Sequence, residues 1–460
     1  MLLALILACS ETEKETVADP PANTDTDTNA CDGDQIEDCN DECSPSAWLG
    51  DGECDDAFNC PEFNQDENDC DTLDSGETGD TWDSGDTDET DETDETASCD
   101  DAIDIGSAGS FTSENMTLRW GYSSQFDDVV AGPYYFNFPS DLEGVSFTLD
   151  FGTSYAQPYY FRSENGSQEI INRNDSVNLV RNDWDNTNTV VLPMSPETSP
   201  PAGCVEVLFW GFDENDNSIS EGATSTLHIN SRRFSSGDSY VLNFVVVNGS
   251  SVSESELGSI WGTTSSLFDS MGIDISQTYF DTVETGEGGY IYANSAEANE
   301  IISTPPTNQG DTRELNVYFV DALLEDDGSM GLFGYAGGVP GPIGVLNTKN
   351  SGVIVSLDIH RFGDGTFDYT EFGATIAHEL GHQLGLFHTT EQDGSENDIL
   401  SDTPACGPSD DADSDGVLDP TECPDGDHVM FWTTPGGAFV QDAWSTQQTN
   451  VLLSSPMIFE

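Results

Sequence analysis

The stretch "HELGHQLGLFH", residues 378–388, holds three of the six histidines of this 460-residue chain, and its reading decides the fold around it. The residues leading in, "DYTEFGATIA", continue a pattern in which Ile376, Leu380 and Leu384 recur at three-to-four spacing until Gly385 ends it, which predicts a helix. Residues four apart on a helix share a face, so His378 and His382 aim two imidazoles at one point with Glu379 beside them. Neutral imidazole suits Zn²⁺, and two helical ligands leave coordination positions to fill. Gly385 lets the backbone turn through a left-handed conformation, which returns His388 as third ligand. One position then remains for water, as a catalytic zinc site requires, and Glu379 stands ready as general base. The competing reading is a buried helix on which histidines merely crowd; five fixed positions in eleven residues weigh against it.

Downstream, "DGDHVMFW" (425–432) supplies Met430, and between the two stretches lies "ENDILSDTPACG" (396–407). HExxHxxGxxH followed by a methionine turn resembles the metzincin metalloproteases. The intervening segment, with Cys406 and Cys423, is similar to their pappalysin branch, and the resemblance covers roughly residues 255–455. It implies zinc on His378, His382 and His388, with Met430 as an apolar base under the imidazoles and not a ligand. It also implies calcium near Asp398 and Asp402. Some metzincins carry a tyrosine two residues after the methionine; Trp432 stands here, so no such role is assigned. His360 and His428 read as packing or surface residues.

"DADSDGVLDPTE" (411–422) places Asp411, Asp413, Asp415, Gly416, Asp419 and Glu422 at positions one, three, five, six, nine and twelve of an EF-hand-type calcium loop. Pro408, Pro420 and Pro424 deny it both flanking helices. The alternatives are a helix-free calcium loop clamped by a Cys406–Cys423 bridge, or a solvated acidic loop. After the methionine, "FWTTPGG" brings no acid to the expected S1′ wall, which favours an apolar substrate side chain there.

Residues 250–460 mix helical periods with strands and read as an α+β catalytic domain. Residues 99–249 carry short apolar or alternating runs such as "VSFTLDF", "CVEVLFW" and "YVLNFVVV" between Gly, Asn, Asp and Ser turns, which predicts a β-sandwich with Cys99 bonded to Cys204. His228, among apolar neighbours in one of these runs, reads as face packing.

Ahead of Cys99 the grammar is that of export. Residues 1–9, "MLLALILAC", resemble a bacterial lipoprotein signal with Cys9 as the lipidated residue, and the run is too short to span a bilayer core of ~30 Å. Setting Cys9 aside leaves an even ten of eleven cysteines, which suits disulfides in an oxidising compartment. Residues 31–70 form a six-cysteine, disulfide-rich module, whose run from Trp48 to Cys70 resembles Notch-type repeats and low-density-lipoprotein-receptor type A modules. Asp55, Asn59, Asp66 and Asp69 there are oxygen donors for Ca²⁺, against the alternative of disulfides alone. Residues 10–30 and 71–98 are acidic, apolar-poor tracts expected to be disordered linkers.

With 88 acidic and 10 basic residues the formal charge is −78, which excludes a nucleic-acid partner because phosphate binding needs clustered cations. Together these readings predict a zinc endopeptidase, surface-anchored by lipid or released from it, with protein or peptide substrates and structural Ca²⁺. The rival is a calcium-dependent adhesion or binding lipoprotein whose protease domain is degenerate. Intact His378, Glu379, His382, His388 and Met430 argue against degeneracy.

Overall fold

In a computed structural model, residues 99–460 are described except 107–110, 153, 164–168, 173–186, 216, 234–236, 285–288, 294, 308, 326–327, 347, 349–350, 435–439 and 460. Ahead of Cys99, only the main chain of 8–9, 35–37 and 43–45 is described. The lipidation of Cys9, the linkers and the calcium donors Asp55, Asn59, Asp66 and Asp69 therefore lie outside what the structure describes. Among the described residues no helix is long and apolar enough to cross a membrane.

The first part of the described chain is a β-sandwich. Its strands are β1 (Phe111–Ser123), β2 (Asp128–Phe138), β3 (Leu142–Asp150), β4 (Tyr155–Ser163), β5 (Glu169–Asn172), β6 (Thr187–Leu192), β7 (Gly203–Phe212) and β8 (Thr224–Arg233). Hydrogen bonding runs in the order β6-β3-β8-β1-β2-β7-β4-β5, every pair antiparallel. Strand β1 joins the two layers: Phe111–Arg119 pair with β8, and Trp120–Ser123 pair with β2. Alternation puts Phe136, Phe147, Phe161 and Phe209 into one shared core, where Phe147 meets Phe136 and Phe161 edge-on at 5.3 and 5.0 Å. Cys99 and Cys204 are bonded. His228 sits half-buried in β8, a packing position.

The second part is built on a mixed sheet. Its strands are β9 (Ser239–Val247), β10 (Asp274–Val283), β11 (Leu315–Val320), β12 (Gly334–Ala336) and β13 (Val353–Ser356), hydrogen-bonded in the order β12-β13-β11-β9-β10. All these pairs are parallel except β12 with β13, and the main chain of Ala8–Cys9 adds to the far side of β12. Helices α1 (Glu254–Asp269) and α3 (Tyr369–Gln383) bury Ile260, Phe268, Phe372, Ile376 and Leu380 against Phe244, Val317 and Phe319 on one face. Helix α2 (Ala296–Ile302) covers Val245, Tyr318 and Ile354 on the other. A last helix, α4 (Thr446–Ser454), follows the methionine.

One boundary expected from sequence is corrected. "YVLNFVVV" was expected inside the sandwich, yet it is β9, flanked by β10 and β11 in the parallel sheet. Its residues are almost continuously buried because both faces are covered, which is the pattern of an interior parallel strand and not of a one-sided sandwich strand. The second part thus begins near Ser239, not at 250.

The two parts interlock. Arg232, 1% exposed in β8, donates from Nε to the Ser455 carbonyl at 3.1 Å and from Nη2 to that of Leu453, and it pairs with Glu143 at 3.2 Å. Asn230 Nδ2 donates to the Ile343 carbonyl at 3.1 Å; within the second part the Tyr240 hydroxyl donates to the Leu452 carbonyl at 2.5 Å. A Cβ at Gly144 would stand 1.8 Å from the Ser454 carbonyl oxygen, so only glycine permits this approach.

Candidate metal centre

Helix α3 starts where Asp368 caps it, its carboxylate accepting from the main-chain N–H of Thr370 and Glu371 at 3.2 Å each. It ends in a Schellman turn: Gly385 takes φ +106°, its N–H reaches the His382 carbonyl at 2.9 Å, and the Leu386 N–H reaches that of Gly381 at 2.8 Å. This reversal carries the chain back so that His388 Nε2 stands 3.2 Å from His378 Nε2, while His382 Nε2 stands 2.9 Å from it. All three imidazoles are buried.

The opposite nitrogens are spoken for. His378 Nδ1 lies 2.7 Å from the Val429 carbonyl, His382 Nδ1 2.7 Å from that of Leu386, and His388 Nδ1 3.0 Å from Glu391 Oε2. Carbonyl and carboxylate oxygens only accept, so each ring must carry its proton on Nδ1. Three Nε2 lone pairs therefore converge on one point with no proton between them. Burial first, then the neighbouring rings, hold His378 down to about 3 and His382 well below the usual imidazole range, so neither relieves the crowding by charging. A cation does relieve it: Zn–N bonds of about 2.0–2.1 Å in a tetrahedron hold nitrogens about 3.3 Å apart, close to the separations present. The donor set fits zinc.

Glu379 is fully buried beside this point and lies against the Ala336 main chain, while neither carboxylate oxygen makes a regular hydrogen bond among the described residues. Burial pushes its carboxyl well above the usual range. Met430 is fully buried under the helix, and a Cβ at Gly381 would fall 2.5 Å from its Sδ. Its carbonyl accepts from the Thr389 N–H at 2.9 Å, so the segment of Val429 and Met430 grips both ends of the histidine stretch. Trp432 turns away: it is buried with Phe431, Leu418 and the bonded Cys406–Cys423 pair, and its Nε1 donates to the Leu418 carbonyl at 2.7 Å. His360 is a packing residue, buried, hydrogen-bonded to Ser356 and Thr375 and stacked on Phe372 at 4.2 Å. His428 is half-buried in the turn before Met430.

Sequence reasoning missed the groups that orient the imidazoles. Val429 and Leu386 act through main-chain carbonyls, which no side-chain pattern reveals. Glu391 was findable, as an acid three residues after the third histidine.

The acids expected to bind calcium fall into two places. Carboxylate oxygens of Asp411, Asp413 and Asp415 lie within 4.8 Å of one another. Asp411 accepts from the N–H of Ser414 and Gly416, and Glu422 from those of Ala412 and Asp419 at 2.8 and 2.9 Å, which closes the loop. Asp398 lies elsewhere, its near neighbour being Asp425, which sequence reasoning did not select. Asp398 Oδ2 and Asp425 Oδ1 are both buried without a hydrogen-bond partner. Burial, with Asp425 and Asp402 adding to it, pushes Asp398 up to about 7. Asp402 is exposed and accepts from the Gln447 N–H at the start of α4.

The three imidazoles on this sheet-and-helix frame form a centre whose donor set fits zinc. Residues 267–389 match the family model of Reprolysin-like metallo-peptidases, family M12B. Among solved structures the chain is similar to metalloproteinase-II from Bacteroides fragilis, at 14% identity and a TM-score of 0.29, covering 50% of this chain and 62% of that one. It is also similar to archaemetzincin from Methanopyrus kandleri, at 18% identity and a TM-score of 0.26, covering 48% of this chain and 90% of that one. The chain thus spans less than two thirds of the Bacteroides enzyme's length. A comparison with curated proteins finds no match.

Proposed function

We propose that this chain is a zinc-dependent endopeptidase of the pappalysin-like branch, exported and held at the cell surface by lipid on Cys9, that hydrolyses peptide bonds of extracellular proteins. The observation that carries the reading is the convergence of three Nδ1-protonated imidazoles whose lone pairs need a cation. Zinc bound there supplies a Lewis acid and a water molecule of lowered pKa. Glu379, buried next to His378 in the chain, would move a proton between the attacking water and the departing amine as general base and then general acid. Met430 supports the rings from below, and Val429, Leu386 and Glu391 keep them aimed. The bonded pairs Cys99–Cys204 and Cys406–Cys423 support an oxidising compartment.

The test is cleavage of azocasein or quenched peptides with and without a zinc chelator, beside a Glu379→Ala variant and elemental analysis of the purified protein. Chelator-sensitive cleavage lost in the variant is expected. Equal inertness of both proteins, or a preparation without transition metal, would overturn the reading.

Calcium belongs to the same proposal as a structural ion. The partnerless oxygens of Asp398 and Asp425 support one site, and the closed loop Asp411–Glu422 supports another. Calcium is expected to raise the melting temperature by several degrees, with Asp425→Asn removing the part that belongs to the first site. No shift in either protein would exclude it.

A further inference from the structure

The three imidazoles are backed unequally. His378 and His382 lean on main-chain carbonyls, which are neutral, whereas His388 leans on a carboxylate, with 3.0 Å between its Nδ1 and Glu391 Oε2. The pair is sheltered: the His388 side chain is 6% exposed and that of Glu391 18%, so water screens little of the charge. Glu391 is also held from behind. Its N–H donates to the Glu396 carbonyl at 3.1 Å, its own carbonyl accepts from the Gly394 N–H at 2.9 Å, and the Gln392 carbonyl accepts from the Leu418 N–H at 2.8 Å. One position earlier, the Thr390 hydroxyl donates to the buried Asp425 carboxylate at 2.7 Å. An ion pair on a free surface turn would contribute little; a carboxylate fixed by its own main chain against a buried ring acts more strongly.

Charge balance gives this contact a task. Three imidazoles protonated on Nδ1 bring no charge to a divalent ion, and a buried ion without a counter-charge is costly. Glu379 stands beside the same point, but an acid that takes up and returns a proton does not offer a constant charge. We propose that Glu391 is the fixed counter-charge of the centre, a positioning residue that acts through His388 and sets how tightly the divalent ion is held. A carboxylate accepting from Nδ1–H draws that proton toward itself and makes the opposite Nε2 a stronger donor than either of its companions. The third ligand is thereby the one that most resists loss of metal. Glu391 lies outside the HExxHxxGxxH pattern, three residues past its last histidine, so the role belongs to this chain's own sequence.

The inference rests on the zinc reading given under the proposed function, and its test needs no peptide cleavage. Zinc affinity and the rate of zinc loss to excess chelator are measured on the full-length protein, on Glu391→Gln and Glu391→Ala, and on Glu396→Gln, which removes an exposed charge from the same turn. Glutamine keeps an oxygen that can accept from Nδ1 and removes the charge; alanine removes both. The expected rise in Kd is about tenfold for glutamine and about 100-fold for alanine, carried mostly by faster loss, with Glu396→Gln unchanged. Cobalt in place of zinc gives a second reading: a weaker third donor should shift the visible absorption band of Glu391→Gln at saturating cobalt, which a purely packing role would leave in place. Zinc held as tightly by Glu391→Gln as by the natural chain, an equal loss in Glu396→Gln, or an unmoved cobalt band would overturn the inference. A protein that holds zinc in this Glu391-dependent way and cleaves nothing fails the peptidase reading alone. One that cleaves peptides with a zinc affinity indifferent to Glu391 fails this inference alone.

Discussion

Replacing Gly381 with alanine isolates the contact between the metal helix and the methionine beneath it. Alanine in a helix interior is about 1 kcal/mol better than glycine, so propensity alone makes Gly381→Ala stabilising. Packing opposes it. The new methyl would stand 2.5 Å from Met430 Sδ and 3.2 Å from its Cε, so the fully buried thioether must retreat by about 1 Å to reach an ordinary contact. Overfilling a packed site of this kind costs about 1–3 kcal/mol. The chain holds its own control, because Gly262 lies inside α1, exposed, with nothing within 4 Å of a Cβ built on it. Gly262→Ala should therefore gain about 1 kcal/mol. Gly381→Ala should fall about 1–3 kcal/mol below it, a gap of roughly 3–10 °C in melting temperature for a domain of this size. Retreat of Met430 also shifts the Val429 carbonyl that orients His378, so zinc affinity measured by chelator competition should drop about tenfold or more. Gly381→Ala as stable as Gly262→Ala, with zinc affinity intact, would show that the methionine does not press on the helix.

Glu379→Gln should keep its zinc but lose about 10²–10⁴-fold in kcat, and Gly334→Ala should approach that loss, since its Cβ would stand 2.5 Å from Glu379 Oε1; metal content and turnover measured together separate the two effects. His360 is held down to about 3 by burial, so between pH 6.5 and 3 the unfolded chain takes up a proton that the folded one refuses, and stability falls as pH falls. His360→Gln should flatten that slope by about 1 kcal/mol per pH unit between pH 6 and 4, read from urea melts at several pH values. Removing both cysteines of the Cys406–Cys423 bridge, which closes a separation of 17 residues, should cost about 3 kcal/mol and loosen the loop between them, seen as faster hydrogen exchange at 411–422.

The metal centre was more legible in the chain than the frame that holds it. His378, His382 and Gly385 specify their geometry locally, by a helical repeat and a left-handed stop, and local rules survive folding intact. Met430 was visible only through a family pattern, because what places it is a contact with Gly381 across 49 positions of sequence. The misassigned strand β9 failed for a related reason. A short apolar run bounded by turn residues looks the same whether it faces a second sheet or lies between parallel neighbours. Asp398 was selected from the sequence and Asp425 was not, since Asp425 comes near it only through the turn that carries the methionine.

The position of β9 limits how this protein can be taken apart. A recombinant fragment starting at residue 250, where the sequence places the junction, would lack the strand that separates β10 from β11 and would leave two half-sheets with no common ladder. Starting at Ser239 restores the strand but strips α4 of the buried guanidinium that satisfies its last carbonyls. The sandwich is thus an indispensable foundation for the sheet-and-helix part, and the smallest unit worth expressing runs from Cys99 onward.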